Sequence, residues 1–344
     1  MAHGGNLHEQ SGKRGAPPPS GSGMSEFPSG ESHSDTGGLT GPFGAELEPV
    51  LRDACRDRLS RIHWFRTAWQ RGGALTGHAR WNAPDHGGEV VVKLPVPPVE
   101  LAWLLRLQDR DGLVPAVMAH GTTLHGYDMA WIVMERLPHG PIGTQWGGAE
   151  FDLLVDAAVR FHAATIETAP TWEGAADTDW QEVISHARRH LRRHQIRQSQ
   201  RWQQALRKAE RKLAGWLASW NARSRREWCH GDLHFANIMT RHAPPEGSGV
   251  LIDFARARPG HWVEDAVYFE HLFWSRREAL GGRKPCSLVA RRRKQVGLPV
   301  DENWPELALI RRVLLALTTP LTLAVHGHDA HVQAALEVLE AAAG

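Results

Sequence analysis

Cysteine is scarce in this sequence. Its three residues, Cys55, Cys229 and Cys286, are odd in number and far apart. That spacing offers neither a disulfide framework nor a Cys/His zinc site, and a reducing, cytoplasmic setting is the simpler expectation. Cys229 stands beside His230, a pairing that would suit a nucleophile, but a small apolar strand residue is the expected role. Charge of one sign is lacking too. The 40 Lys and Arg against 38 Asp and Glu leave a net charge of +2, so bulk charge selects no partner. Long apolar runs are missing. Crossing a bilayer takes ~20 apolar residues, and the best stretch, residues 313–325, is shorter and broken by Thr318, Thr319 and Pro320. No apolar core marks the N-terminus, so no signal peptide is expected, and no internal repeat is visible.

What is present fits a globular protein. The 344 residues are 42% hydrophobic, enough for two domains with real cores. Residues 1–44 are rich in Gly, Ser, Pro and His. They lack the apolar periodicity that would offset ordering entropy, so they are expected to be disordered, and Met24 is a candidate alternative start. From Glu46 the texture changes. A short amphipathic helix over residues 47–59 leads into a strand-like segment, 62–70, and a glycine segment, 71–80, containing Gly72, Gly73 and Gly77. A turn at 84–88 precedes the β-rich run EVVVKL at 89–94, and a helix over 99–108 follows Pro97 and Pro98. Two strands are expected at 122–124 and 131–135, then a linker at 137–143. The rest reads as helical over 150–165, 179–220, 262–280, 306–317 and 330–343, interrupted by a strand pair. The expected fold is α+β and bilobal. Residues 45–136 form a small antiparallel β-sheet lobe, and residues 137–344 a larger, mainly helical lobe.

The strongest chemical signal is HGDLHFANIM, residues 230–239, followed by LIDF at 251–254. It places Asp232, Asn237 and Asp253 within 22 residues, each beside or within a short apolar run. Phosphoryl transfer needs such a set: one carboxylate to orient the attacking hydroxyl, with an amide and a second carboxylate to hold Mg²⁺ against nucleotide phosphates. Positioning and charge neutralisation supply most of that catalysis, so a few polar groups on a rigid loop suffice. A lone loop Asp is usually a turn or cap residue. His, Gly, Asp and Asn at this spacing, then an apolar strand ending in Asp, are not explained that way.

On these residues the chain resembles the aminoglycoside phosphotransferase and choline kinase group, relatives of the protein kinases, over about residues 60–340. The resemblance implies a protein-kinase-like fold and an ATP- and Mg²⁺-dependent transfer to a hydroxyl of a small molecule. It implies Asp232 as the catalytic base, Asn237 and Asp253 as metal ligands, and Asp265 as a brace for the catalytic loop. His230 would support the loop through backbone hydrogen bonds. His234 takes the place of the kinase loop's Lys and would approach the γ-phosphate. Lys93, ending the run VVVK, resembles the phosphate-binding Lys, with Glu100 as its ion-pair partner. A helix-N-terminal carboxylate is the competing reading of Glu100. Gly73 would belong to a loose nucleotide loop, although a hairpin turn explains that segment nearly as well. Met134, Glu135 and Leu137 would form the hinge beside adenine. Phe235 and Ala236 depart from a common Pro-Gly, and Ala255 from the kinase Gly; neither removes a ligand.

Residues 181–226 carry thirteen Arg and Lys against two acids. Like-charge repulsion would disfavour a polycation there, which ranks a neutral or anionic hydroxyl compound above an aminoglycoside. A solvated helix face is the competing reading of such a run. A kinase-like binding module that docks nucleic acid or an acidic partner is the alternative function. It is ranked lower because no recognised nucleic-acid module accompanies the charge. Sequence leaves the oligomeric state open.

Overall fold

The run GEVVVKL is rich in β-branched residues, and the strand's period of two decides which way Lys93 points. In the computed structural model, β3 (Gly88–Leu94) buries Val90, Val92 and Leu94 on one face and turns Val91 and Lys93 to the other. The structure describes residues 41–65, 74–84, 87–143, 147–168, 178–194, 196–244, 246–326 and 329–344. The strand belongs to a five-stranded antiparallel sheet with β1 (Leu59–Phe65), β2 (Leu75–Trp81), β4 (Val117–Gly121) and β5 (Trp131–Glu135), ordered β1-β2-β3-β5-β4. Helix α1 (Gly41–Ala54) packs on it, and Leu51, Leu59, Trp81, Val92 and Val133 share that small core. The helix starts inside the segment that composition marks for disorder. The strand expected at 122–124 is instead one bridge, Leu124 to Tyr127, and β4 lies just before it. Its sequence VMAHG has no alternation to betray it.

Helix α2 (Pro98–Arg106) begins with Pro98 in its first turn, where a missing N–H costs nothing. It faces the second lobe. Trp103 meets Phe161 and Trp228 edge-on, with ring centroids 5.6 and 4.9 Å apart. The larger lobe holds α3 (Gly148–Thr168), α4 (Trp180–Arg193), α5 (Ser199–Asn221), α6 (Val263–His271), α7 (Pro285–Gln295), α8 (Trp304–His326) and α9 (Asp329–Ala343). Two short antiparallel pairs cross it, β6 (Glu227–Cys229) with β9 (Arg258–Gly260), and β7 (Ile238–Met239) with β8 (Val250–Leu251).

The single helix expected over 179–220 is two. Asp179 caps α4 by accepting the Glu182 amide at 3.0 Å, and Gln198 breaks the run in the left-handed region at φ 61°. The helix expected over 262–280 ends at His271 and continues as a 3₁₀ segment, while α8 runs on through Pro320. Among the described residues no helix is long and apolar enough to cross a membrane. The three cysteines are free and buried. Burial raises the thiols of Cys55, to about 11, and Cys286, to about 12, and pushes Cys229 well up; the Cys229 Sγ donates to the His261 carbonyl at 3.2 Å.

Candidate active site

Four elements meet at one place: β3, α2, the loop between β6 and β7, and the turn after β8. Lys93 is the link. Its Nζ lies 2.7 and 2.8 Å from the two carboxylate oxygens of Glu100 and 3.4 Å from Asp253 Oδ1. Glu100 is 1% exposed. Burial works against the Lys93 ammonium, but the Glu100 and Asp253 carboxylates outweigh it and raise the pKa, so the amine stays charged. Burial pushes Glu100 upward while Lys93 pulls it back; contact through both oxygens with a firmly protonated amine marks it as ionised.

The loop that carries Asp232 is tied down from behind. Asp265, on the first turn of α6, accepts the amides of His230 at 2.8 Å and Gly231 at 2.9 Å, and its Oδ2 lies 3.0 Å from His162 Nε2 on α3. Burial raises the Asp265 carboxyl, but the His162 hydrogen bond and the nearby imidazoles hold it below its usual range. His230 is fully buried. Its Nε2 donates to the Ile252 carbonyl at 3.0 Å, which ties the loop to the strand that ends at Asp253. Desolvation lowers its pKa and keeps it neutral. Gly231 has φ +78°, and a Cβ there would lie 2.2 Å from the Arg256 carbonyl oxygen, so the tight approach of loop and turn requires glycine.

Asn237 and Asp253 stand at matching ends of the β7–β8 pair, where the Ile252 amide donates to the Asn237 carbonyl at 3.1 Å. The Asn237 Nδ2 donates to the Asp232 carbonyl at 2.8 Å, which turns its amide oxygen the other way. Asp253 sits in the left-handed region at φ 63°, with its side chain 43% exposed. These are hard oxygen donors, the type Mg²⁺ takes while keeping waters and phosphate oxygens as further ligands. No group of three or more His, Cys, Asp or Glu able to hold a metal occurs among the described residues.

The hinge residues are also engaged. Met134 pairs with Val91 and Val117, the Glu135 amide donates to the Ala116 carbonyl at 2.7 Å, and Leu137 is buried. The Glu135 side chain takes a bidentate contact from Arg241, at 2.9 and 2.7 Å, clamping the end of the sheet to the residues after β7. Gly72 and Gly73 lie outside the described residues. Gly77 is in β2 under Trp64, not in a loop.

His234 accepts the Ala236 amide on Nδ1 at 3.1 Å and presents Nε2 to Asp232 Oδ1 at 3.6 Å. Desolvation lowers its pKa. Sequence reasoning missed Tyr268, whose hydroxyl donates to Asp232 Oδ1. It also missed His162 under Asp265. Tyr268 is three residues beyond Asp265 on α6, and that i, i+3 spacing on one helix face is the signal that could have found it. His162 carries no comparable signal.

The basic helices lie elsewhere. Arg192, Arg193, Arg207, Lys208 and Arg211 are exposed, and Arg188, Arg197 and Arg201 pair with Glu210, Asp329 and Glu340 on the outer surface of α4, α5 and α9. Arg223 turns inward, sharing the buried Glu264 with Arg258 at 3.1 and 3.0 Å. The charge run is therefore mainly a solvated face, and its value as an argument about substrate falls.

A family model described as a phosphotransferase enzyme family matches residues 79–308. Comparison with curated proteins gives no match. Among solved structures, a Ralstonia eutropha protein, provisionally described as an aminoglycoside phosphotransferase, superposes with a TM-score of 0.57 at 14% identity, covering 86% of this chain and 98% of that one. The aminoglycoside phosphotransferase of Alicyclobacillus acidocaldarius reaches 0.51 at 17% identity, over 83% and 89% of the two chains. A thermostable mutant of aminoglycoside phosphotransferase APH(4)-Ia, in ternary complex with AMP-PNP and hygromycin B, reaches 0.53 at 12% identity, over 87% and 98%. At these identities the likeness speaks for the fold, a bilobal kinase-like one.

Proposed function

The chain belongs to the phosphotransferase enzyme family that matches residues 79–308, and we propose that it moves the γ-phosphoryl group of ATP to a hydroxyl of a small molecule. In this reading the acceptor hydroxyl gives its proton to Asp232, its oxygen bonds to phosphorus, and the bond from phosphorus to the ADP oxygen breaks. Lys93, held by Glu100, meets the nucleotide phosphates from the sheet side. Asn237 and Asp253 would hold Mg²⁺, which supplies charge neutralisation on the phosphate oxygens. Glu135 and Leu137 would line the adenine side through backbone groups, and His234 stands beside Asp232 rather than beside Lys93.

One observation carries the proposal. Lys93, from the sheet, comes within 3.4 Å of Asp253, from the helical lobe, while Glu100 holds it charged. No structural need of the sheet asks for a cation there. A turn Asp or a surface Lys taken singly has simpler explanations, but this contact across 160 residues does not.

We assign the acceptor as a neutral or anionic hydroxyl compound. The support now comes from near the site rather than from the basic helices. Arg256, exposed beside the loop, acts electrostatically on Tyr268 and His234. A polycation would meet it. The aminoglycoside alternative rests on the neighbours' names, one of which holds hygromycin B.

The test is ADP release from MgATP over a panel of hydroxyl compounds that includes hygromycin B, with Asp232→Asn as the control. The variant is expected to fold and to lose transfer by roughly 10²–10⁴-fold with every acceptor. Near-wild-type turnover would remove Asp232 from its role. Turnover confined to hygromycin B and its kind would overturn the acceptor class alone.

A further inference from the structure

The two oxygens of Asp232 have different surroundings. Oδ1 accepts the Tyr268 hydroxyl and faces His234 Nε2 at 3.6 Å. The His234 Nδ1 accepts the Ala236 amide, so the ring proton sits on Nε2 and points at the same oxygen. Among the described residues, the hydrogen bonds to the Asp232 carboxylate fall on Oδ1 and none on Oδ2. The Asp232 side chain is 22% exposed, and Oδ2 is not one of the buried atoms that lack a hydrogen-bond partner, so it is open to an incoming group.

We infer that Tyr268 is a positioning residue for transfer: it holds Asp232 through Oδ1 and leaves Oδ2 as the oxygen that receives the acceptor's proton. This rests on the proposed reading of Asp232 as the base. A free carboxylate samples rotamers and offers either oxygen, and only one arrangement lines up with the phosphorus. A donor that occupies one oxygen removes that ambiguity before substrate arrives. Tyr268 is suited to the task. Burial, together with the Asp232 carboxylate, pushes its phenol well above the usual range, so it remains a donor at any working pH. Its own place is fixed by α6. One turn earlier, Asp265 holds the loop backbone at His230 and Gly231. One turn later, His271 contacts the Tyr268 carbonyl at 2.5 Å, with ring centroids 4.9 Å apart. One helix thus supports both the loop and the side chain of its base.

The experiment needs no identified acceptor. ADP release from MgATP, with water as the acceptor, is read for wild type, Tyr268→Phe, Asp232→Asn and the double variant. Tyr268→Phe keeps the ring and is expected to lower kcat about tenfold, the effect of losing one hydrogen bond to a charged group. KM for MgATP should stay within error of wild type and Tm should fall by no more than about 2–4 °C, so that the folded enzyme loses kcat alone, a split that a merely structural role would not produce. In the Asp232→Asn background the same change should cost nothing further. An unchanged kcat overturns the inference, and so does a full extra loss in that background. A faster Tyr268→Phe enzyme also overturns it, because the hydroxyl would then be competing with the acceptor. If Asp232→Asn keeps its turnover, the base assignment itself falls. If Asp232→Asn is inactive while Tyr268→Phe is normal, only Tyr268 is wrong.

Discussion

At the scale of single residues, the site depends on charges buried beside one another. Glu100 is almost wholly enclosed and its two oxygens hold the Lys93 amine. Removing one member of such a pair leaves the other charged in a poor solvent, which costs about 3 kcal/mol or more. Glu100→Ala is therefore expected to lower unfolding free energy by about 3 kcal/mol and to raise KM for MgATP. Denaturant melts and nucleotide titration check both. The apolar pair Lys93→Met with Glu100→Leu should regain the stability and none of the activity; recovery of turnover would mean that the amine is structural only. The residues of this pair were legible because VVVK and the following helix are close in sequence. The residue opposite them was not. Tyr268 reaches Asp232 across 36 positions, and only its place three residues beyond Asp265 on α6 hints at the contact.

At the scale of elements, the short loop between β6 and β7 is built by its neighbours. It has no repeating hydrogen bonds of its own, so Asp265 on α6 and the Ile252 carbonyl supply them. Gly231→Ala should fail here. The added methyl meets the Arg256 carbonyl, and positive φ adds strain, for a loss of roughly 2–4 kcal/mol and most of the activity. A thermal shift of less than about 2 °C in Gly231→Ala would show that the turn relaxes instead. Element identity was readable where composition or pattern was strong, as in the valine-rich β3 and in α9. It failed for β4, which has no alternation, and for α4 and α5, where a left-handed Gln198 divides one continuous helical pattern. Gly77 was read with the loop glycines because a glycine inside a strand looks the same in sequence; Trp64 above it gives the reason for it.

At the scale of the whole molecule, burial has collected histidines. Desolvation lowers His230, His234 and His261, and brings His271 to about 4. In the unfolded chain these imidazoles titrate near 6.5. As pH falls through 6.5 the unfolded state takes up protons that the folded state refuses, so stability is full above that value and is lost toward 4. The depressed carboxylates of Glu264 and Asp265 continue the loss at lower pH. Tm is expected to drop by roughly 5 °C or more between pH 7 and pH 5, and His271→Gln should reduce that slope. A flat profile over that range would contradict the enclosed, neutral state of these rings.

The sequence by itself determined the reaction type and the lobe plan. The loop residues Asp232 and Asn237, with Asp253 beyond them, are read from contiguous spacing, and strand and helix periods follow from the backbone's own geometry. Only the tertiary structure decided how those residues are arranged. It brought Lys93 to Asp253, set Asp265 behind the loop, pointed Tyr268 at one oxygen of Asp232, and turned the basic faces of α4 and α5 to solvent. Each of these depends on which surfaces pack together. Packing joins residues far apart in the chain, and its directions are set by burial and charge balance over the whole fold rather than by local pattern.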